Sequence, residues 1–216
     1  MNKESLKSTA VVSLFWGALW GISEATIGYL AHLVPILPGF AGFVMFPIGF
    51  YFMSRAYKEN GKPGILFGTA AVAASIKLLD LFLPGLSPIY TINPALAILM
   101  EAAAVFLVFN AMNKGPAALR FREVLLASSG WRLGFLFYSA ALSFLSISGE
   151  FMQRGLDYIL NFLLLEPVIN SLIIMVFLKA GFAFKRKSSR EFRVRPALAS
   201  AVFTAAVLVK VALALG

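Results

Sequence analysis

Long apolar stretches alternate with short polar ones along this chain. Seven read as membrane-crossing helices: residues 9–34, 40–55, 64–83, 94–112, 131–147, 167–184 and 196–215. Crossing about 30 Å of hydrocarbon takes roughly 20 residues of helix, so the second and fifth are the shortest acceptable pieces. A further apolar stretch, 151–165, carries Arg154, Asp157 and Asn161. It either lies flat at the surface or lengthens the sixth span. Glu166-Pro167 favours a break there, because the residue before a proline avoids helical geometry. The pattern predicts an all-α, polytopic transmembrane helical bundle of six or seven spans, forming one integral membrane domain over residues 1–216.

Composition agrees. The chain is 60% apolar and 13% charged, against about 45–50% and about 25% in an ordinary soluble domain. A globule of this length has too little interior to hide the excess, so lipid is its natural solvent. The net charge of +9 reads as a topology signal and not as a nucleic-acid footprint, because the basic residues sit between the apolar stretches. With the N-terminus in the cytoplasm, fifteen of the nineteen basic residues fall on inner segments: Lys3 and Lys7; Arg55, Lys58 and Lys62; Lys114, Arg120, Arg122 and Arg132; and six between 185 and 195. The outer segments hold Arg154. This bias predicts a cytoplasmic N-terminus in the inner membrane. The first apolar stretch is too long for a signal-peptide core and contains Glu24, so no cleaved leader is expected.

Several chemistries are excluded. There is no cysteine and one histidine, which leaves no thiol catalysis, no disulfide and no room for a multi-histidine metal site. No phosphate-binding loop, nucleophile elbow or dinucleotide fingerprint occurs. No cofactor and no metal are expected, and no catalytic residue stands out.

Ionisable groups inside a bilayer are costly, so each is a functional candidate. Glu24 lies about 12–15 Å below the outer end of span one, and Glu101 about 12 Å into span four, at 1.5 Å per helical residue. Neither has a basic residue at i±3 or i±4. Each therefore needs a partner from another helix (Lys77 is the available one), a proton or a ligand. Lys77 and Asp80 share a helix face and can neutralise each other. Asn93-Pro94 reads as a helix start, with an N-cap side chain and proline at N1. His32 falls at the outer end of span one, as an interface residue or a site residue. Together, Glu24, Glu101, Asn93, Asp80, Lys77 and His32 suggest a polar pocket opening outward. Lys179 and Lys210 lie near span ends, where they can snorkel. Ser13, Gly17, Gly21 and Ala25 form a small-residue ridge that admits close approach of a neighbouring span or of another subunit. Residues 117–126 alternate charged and apolar positions like an interfacial helix lying on lipid or docking a partner.

With six or so spans, short loops, no ATPase motif, this ridge, and the run from Gly21-Ile22-Ser23-Glu24 to Pro38-Gly39-Phe40, the chain resembles the substrate-binding (S) component of energy-coupling factor transporters. The resemblance implies capture of a small solute (a vitamin, a precursor or a cation), with the ridge docked on a scaffold membrane subunit driven by separate ATPases. The residues leave three other functions open: a proton-coupled secondary transporter, a membrane enzyme acting on a lipid or isoprenoid, and a non-catalytic assembly subunit.

Overall fold

A computed structural model describes residues 3–28, 30, 40–82, 87–113, 115–185 and 194–215. Every regular element among them is helical. Helix α1, Lys3–Ser23, continues as a π-helical turn, Glu24–Gly28. Next come α2, Phe40–Asn60, and α3, Ile65–Leu78, which tightens into a 3-10 turn at Leu79–Phe82. They are followed by α4, Ile89–Met112, and α5, Phe121–Phe144. Two short helices, α6 (Glu150–Gln153) and α7 (Leu156–Leu160), lead through a π turn at Asn161–Leu165 into α8, Glu166–Lys185. Helix α9, Pro196–Leu215, ends the chain.

Five helical stretches are long and apolar enough to cross a membrane: Leu6–Gly28, Ile65–Phe82, Ile89–Met112, Leu156–Ala180 and Pro196–Leu213. Their outward faces carry Leu107, Leu164, Leu172, Val176 and Leu208, all more than half exposed. Water tolerates no such continuous apolar surface, and these features mark a membrane protein. The remaining long helices, α2 and α5, correspond to the two shortest apolar stretches of the sequence. Packing explains how α2 tolerates its polar residues. It is enclosed by α1, α3, α4 and α8, and Phe46, Phe50, Met53 and Ala56 are buried. Neighbouring helices cover this side of α2, and Tyr51 lies on its open side.

Helices α1 and α3 run parallel and in close contact, and α9 packs on α1 beside α3, with Ala18, Ile76 and Ala206 in one buried cluster. The small-residue ridge makes the first contact possible. A Cβ on Gly17 would lie 2.5 Å from the Thr69 carbonyl oxygen, and one on Gly21 would lie 2.5 Å from Ile76 Cδ1. Ser13 fills the notch at Gly68, and Ala25 is buried. Along Ser13, Gly17 and Gly21 the ridge is covered by the chain's own α3.

Three local expectations are corrected. The chain does not break at Glu166-Pro167, since Leu160 and Glu166 both keep helical dihedrals on either side of the π turn. The wider turn precedes the proline and absorbs the carbonyl clash that would otherwise stop the helix. Residues 121–126 are no separate interfacial helix but the first turns of α5, with Glu123 and Val124 fully buried. Finally, α4 starts at Ile89, with Pro88 at its N-cap, so Asn93-Pro94 sits inside the helix. Ser87 and Pro88 accept the first amides instead, which frees the Asn93 side chain.

Candidate functional site

Glu24 and Asp80 lie at the end of the bundle where α1 and α3 finish, Glu101 and Arg132 near the middles of α4 and α5, and Glu123 in the first turn of α5. Glu24 opens the π turn of α1 and is 9% exposed. A π turn inserts one residue into the helical ladder and so re-aims the side chains around it. The Trp20 indole Nε1–H donates to Glu24 Oε1 at 3.3 Å. The other Glu24 oxygen passes close to Gly28, whose Cβ, if present, would be 3.2 Å from it.

Glu101 reaches the same region from α4, across Gly49 of α2. A Cβ on Gly49 would lie 2.5 Å from Trp20 Cζ2 and 3.2 Å from Glu101 Oε2. The bare glycine therefore gives the indole and the carboxylate access to one point. Glu101 is 3% exposed, and its Oε2 has no hydrogen-bond partner among the described residues. The charged groups acting on it electrostatically are Glu24 and Arg132.

Arg132 is the main residue the sequence misplaced. Charge counting assigns it to an inner segment, and the structure buries it fully within α5. Its Nη1 donates to the Ser128 carbonyl oxygen and hydroxyl at 3.1 and 2.9 Å, and Nη2 donates to Glu166 Oε2 at 3.2 Å. With the Asn170 amide oriented to satisfy both of its groups, Oδ1 accepts from Arg132 Nη2 and Nδ2 donates to the Phe43 carbonyl oxygen, each at 2.9 Å. The guanidinium also stacks on Trp131 (4.5 Å) and Phe162 (5.3 Å). The available signal was an arginine followed by fifteen residues dominated by apolar side chains. It pairs with Glu166, the residue that opens α8 just before Pro167.

Lys77 and Asp80 do pair, at 3.1 Å, but Lys210 of α9 shares the same carboxylate at 2.6 and 2.7 Å. Lys210 therefore does not snorkel: it clamps α9 to the end of α3. Asn93 Oδ1 accepts from the Tyr138 hydroxyl at 2.9 Å and joins α4 to α5. His32 lies outside the described residues.

The arrangement separates structural from chemically open groups. Lys77, Asp80 and Lys210 satisfy one another, and Arg132 pairs with Glu166 although its buried Nε has no hydrogen-bond partner among the described residues. Glu24 has one indole donor, and Glu101 Oε2 has none. Among the described residues, Asp80 pairs with Lys77 and Lys210 and Glu166 with Arg132, leaving Glu24 and Glu101 without a basic ion-pair partner. Among the described residues no three His, Cys, Asp or Glu side chains converge as a metal cage. No protein-family model matches the chain, and neither a curated protein nor a solved structure is significantly similar to it.

Proposed function

We propose that this protein is a multi-pass inner-membrane subunit that captures a small polar solute, with Glu101 and Glu24 holding a cationic or hydrogen-bond-donating group. One observation carries the reading: the Glu101 oxygen that is buried and unpartnered. Leaving a carboxylate oxygen without a donor in a dry interior costs several kcal/mol by order of magnitude. A donor that arrives with the ligand removes that penalty. Asp80, Lys77 and Asn93, already paired, form the wall that holds the helix ends in place. In this reading all seven long helices cross the bilayer, with the N-terminus in the cytoplasm and the C-terminus outside. The bias of basic residues supports that orientation, and it survives the transfer of Arg132 into the bundle. Energy for uptake comes from separate scaffold and ATPase subunits, as the resemblance to S components implies. Such a scaffold meets a face other than the ridge on α1.

Native mass spectrometry of protein extracted from its own membranes tests this. The wild type is expected to retain a small molecule bearing an amine or a comparable donor group. Glu101→Gln and Glu24→Gln are expected to lose it while keeping their melting temperature. Equal retention in both variants overturns the assignment.

A second reading is favoured by the burial of both Glu24 and Glu101 without a basic ion-pair partner among the described residues: a buried carboxylate can carry a coupling proton. It expects the protein alone, in liposomes, to accumulate the co-purified solute when a pH gradient is imposed.

A further inference from the structure

We infer that Lys77 is an exchangeable cation: it pairs with Asp80 in this structure and with Glu24 in a second arrangement, in which Lys210 alone holds Asp80. The exchange requires no bound solute and stands apart from the capture reading.

The Asp80 cluster holds one cation more than its carboxylate needs. Lys210 Nζ lies 2.6 Å from Asp80 Oδ1 and 2.7 Å from Oδ2. Lys77 Nζ lies 3.1 Å from Oδ2, an oxygen that Lys210 already uses. Lys210 alone therefore satisfies Asp80, and Lys77 is the more weakly held of the two. Like charges sharing one carboxylate also repel each other.

Glu24 has the opposite need. It is buried without a basic ion-pair partner among the described residues, and its donor is the neutral indole of Trp20. A buried carboxylate without a counter-charge is costly, so an ammonium group within reach gains by moving to it. Of the cations, Lys77 acts most strongly on Glu24 and Lys210 next.

The packing of α1 on α3 supplies that reach. Gly17 lies against Thr69 and Val72, and Gly21 against Ile76, so the two helices advance in step. Glu24 is three residues beyond Gly21, and Lys77 is one beyond Ile76. At 1.5 Å per residue their backbones differ by about 3 Å in height. At about 100° per residue, Glu24 is turned about 60° back from Gly21 and Lys77 about 100° on from Ile76. On two parallel helices that face each other, these opposite rotations lead to the same side of the contact. That side is the interior: Lys77 continues the stripe Leu66, Ala70 and Ala73, and Glu24 follows Trp20 by one turn, all four of those neighbours being fully buried. A flexible four-carbon stem spans such a gap by changing rotamer.

The test treats the full-length wild type in nanodiscs with a membrane-permeant carbodiimide, which joins an amine to a carboxylate only where the two touch. Peptide mass spectrometry then identifies the linked residues. The arrangement in this structure gives a Lys77–Asp80 link, and the exchange adds a Lys77–Glu24 link. Without Lys210, Asp80 retains Lys77. Lys210→Met is therefore expected to lower the Lys77–Glu24 yield, relative to Lys77–Asp80, by about tenfold or more, the scale of one charge-assisted hydrogen bond. Lys210→Gln takes its place if the methionine variant does not unfold cooperatively. A wild type without a Lys77–Glu24 link overturns the inference, as does a Lys77–Glu24 yield that is indifferent to the loss of Lys210. The wild-type measurement needs no variant, so it stands even where both substitutions disturb folding.

Discussion

Trp20 and Gly49 share one volume: the ring edge of the first fills the place where a side chain on the second would begin, 2.5 Å from that Cβ position. Trp20 is fully buried, so it has no room to retreat. Gly49→Ala is expected to destabilise the protein by about 1–3 kcal/mol, the range for overpacking a filled core. The displaced indole also loses its bond to Glu24. The melting temperature in detergent and the retention of the small molecule should therefore fall together. A variant that lowers neither would show that α2 can shift away from α1 at no cost.

Gly17 and Gly130 make a matched comparison within one fold. A methyl on Gly17 meets the Thr69 carbonyl oxygen at 2.5 Å and Val72 Cβ at 2.6 Å, both on the helix it packs against. A methyl on Gly130 meets Ala104 Cβ at an ordinary 3.6 Å. Gly17→Ala should force α1 and α3 apart and lower the melting temperature. Gly130→Ala should raise it slightly, since alanine is favoured over glycine in a helix by about 0.8–1 kcal/mol. Equal effects would mean the α1–α3 contact is looser than this packing requires.

How much of this was legible in the sequence follows from what each signal depends on. Apolar stretches of membrane-crossing length need no tertiary information, so the helical bundle was readable. The Lys77–Asp80 pair was readable because i, i+3 spacing on one helix sets it. Arg132 was not: charge counting assigned it to a loop, and only α8 supplies Glu166 and Asn170. Lys210 was missed for the same reason, since Asp80 lies 130 residues away. The ridge was visible, but which helix covers it was not, because small-residue spacing is satisfied equally by a neighbour in the same chain or by another subunit. Glu24 lacks a basic neighbour but has a local donor that charge counting overlooks, the Trp20 indole four residues earlier, whereas Glu101 Oε2 has no partner among the described residues. That Glu101 comes up beside Trp20 at Gly49 needed the fold.

Arg132 is held by Ser128, Glu166 and Asn170, with two aromatic rings around it. Arg132→Gln leaves Glu166 as a buried, unpaired carboxylate, and breaking such a pair from one side costs about 3–5 kcal/mol. Arg132→Gln combined with Glu166→Gln removes both charges and is expected to recover much of that loss. Thermal unfolding of the two single variants and the double variant measures the coupling. A double variant as unstable as the sum of its parts would mean that the two residues act independently.

The chain contains no cysteine, so topology is open to single-site labelling. Lys62 and Gln153 are both exposed, and α3, α4 and α5 lie between them. Three crossings place them on opposite sides. In intact cells a membrane-impermeant maleimide is expected to label Gln153→Cys, and to label Lys62→Cys only after permeabilisation. The reverse pattern inverts the proposed orientation. Labelling of both from one side would mean that one of the three helices does not cross.

Asp80 carries the last prediction, because one carboxylate serves two lysines from different helices. Lys77 reaches it along α3 at 3.1 Å, and Lys210 reaches it from α9 at 2.6 Å. All three side chains are at most 15% exposed, so solvent screens them little. Asp80→Asn leaves two ammonium groups facing each other without a counter-charge and is expected to be the most damaging change at this cluster, by about 3–5 kcal/mol. Lys210→Met leaves the i, i+3 pair with Lys77 intact and should cost markedly less. It should nevertheless release α9, whose crossing segment is only 11% buried and packs chiefly on α1. Limited proteolysis reads that release directly: Lys210→Met should be cleaved faster before Pro196 while the rest of the bundle stays resistant. If Asp80→Asn and Lys210→Met instead lower the melting temperature equally, the clamp depends on the α9 contact alone, and Lys77 contributes nothing to it.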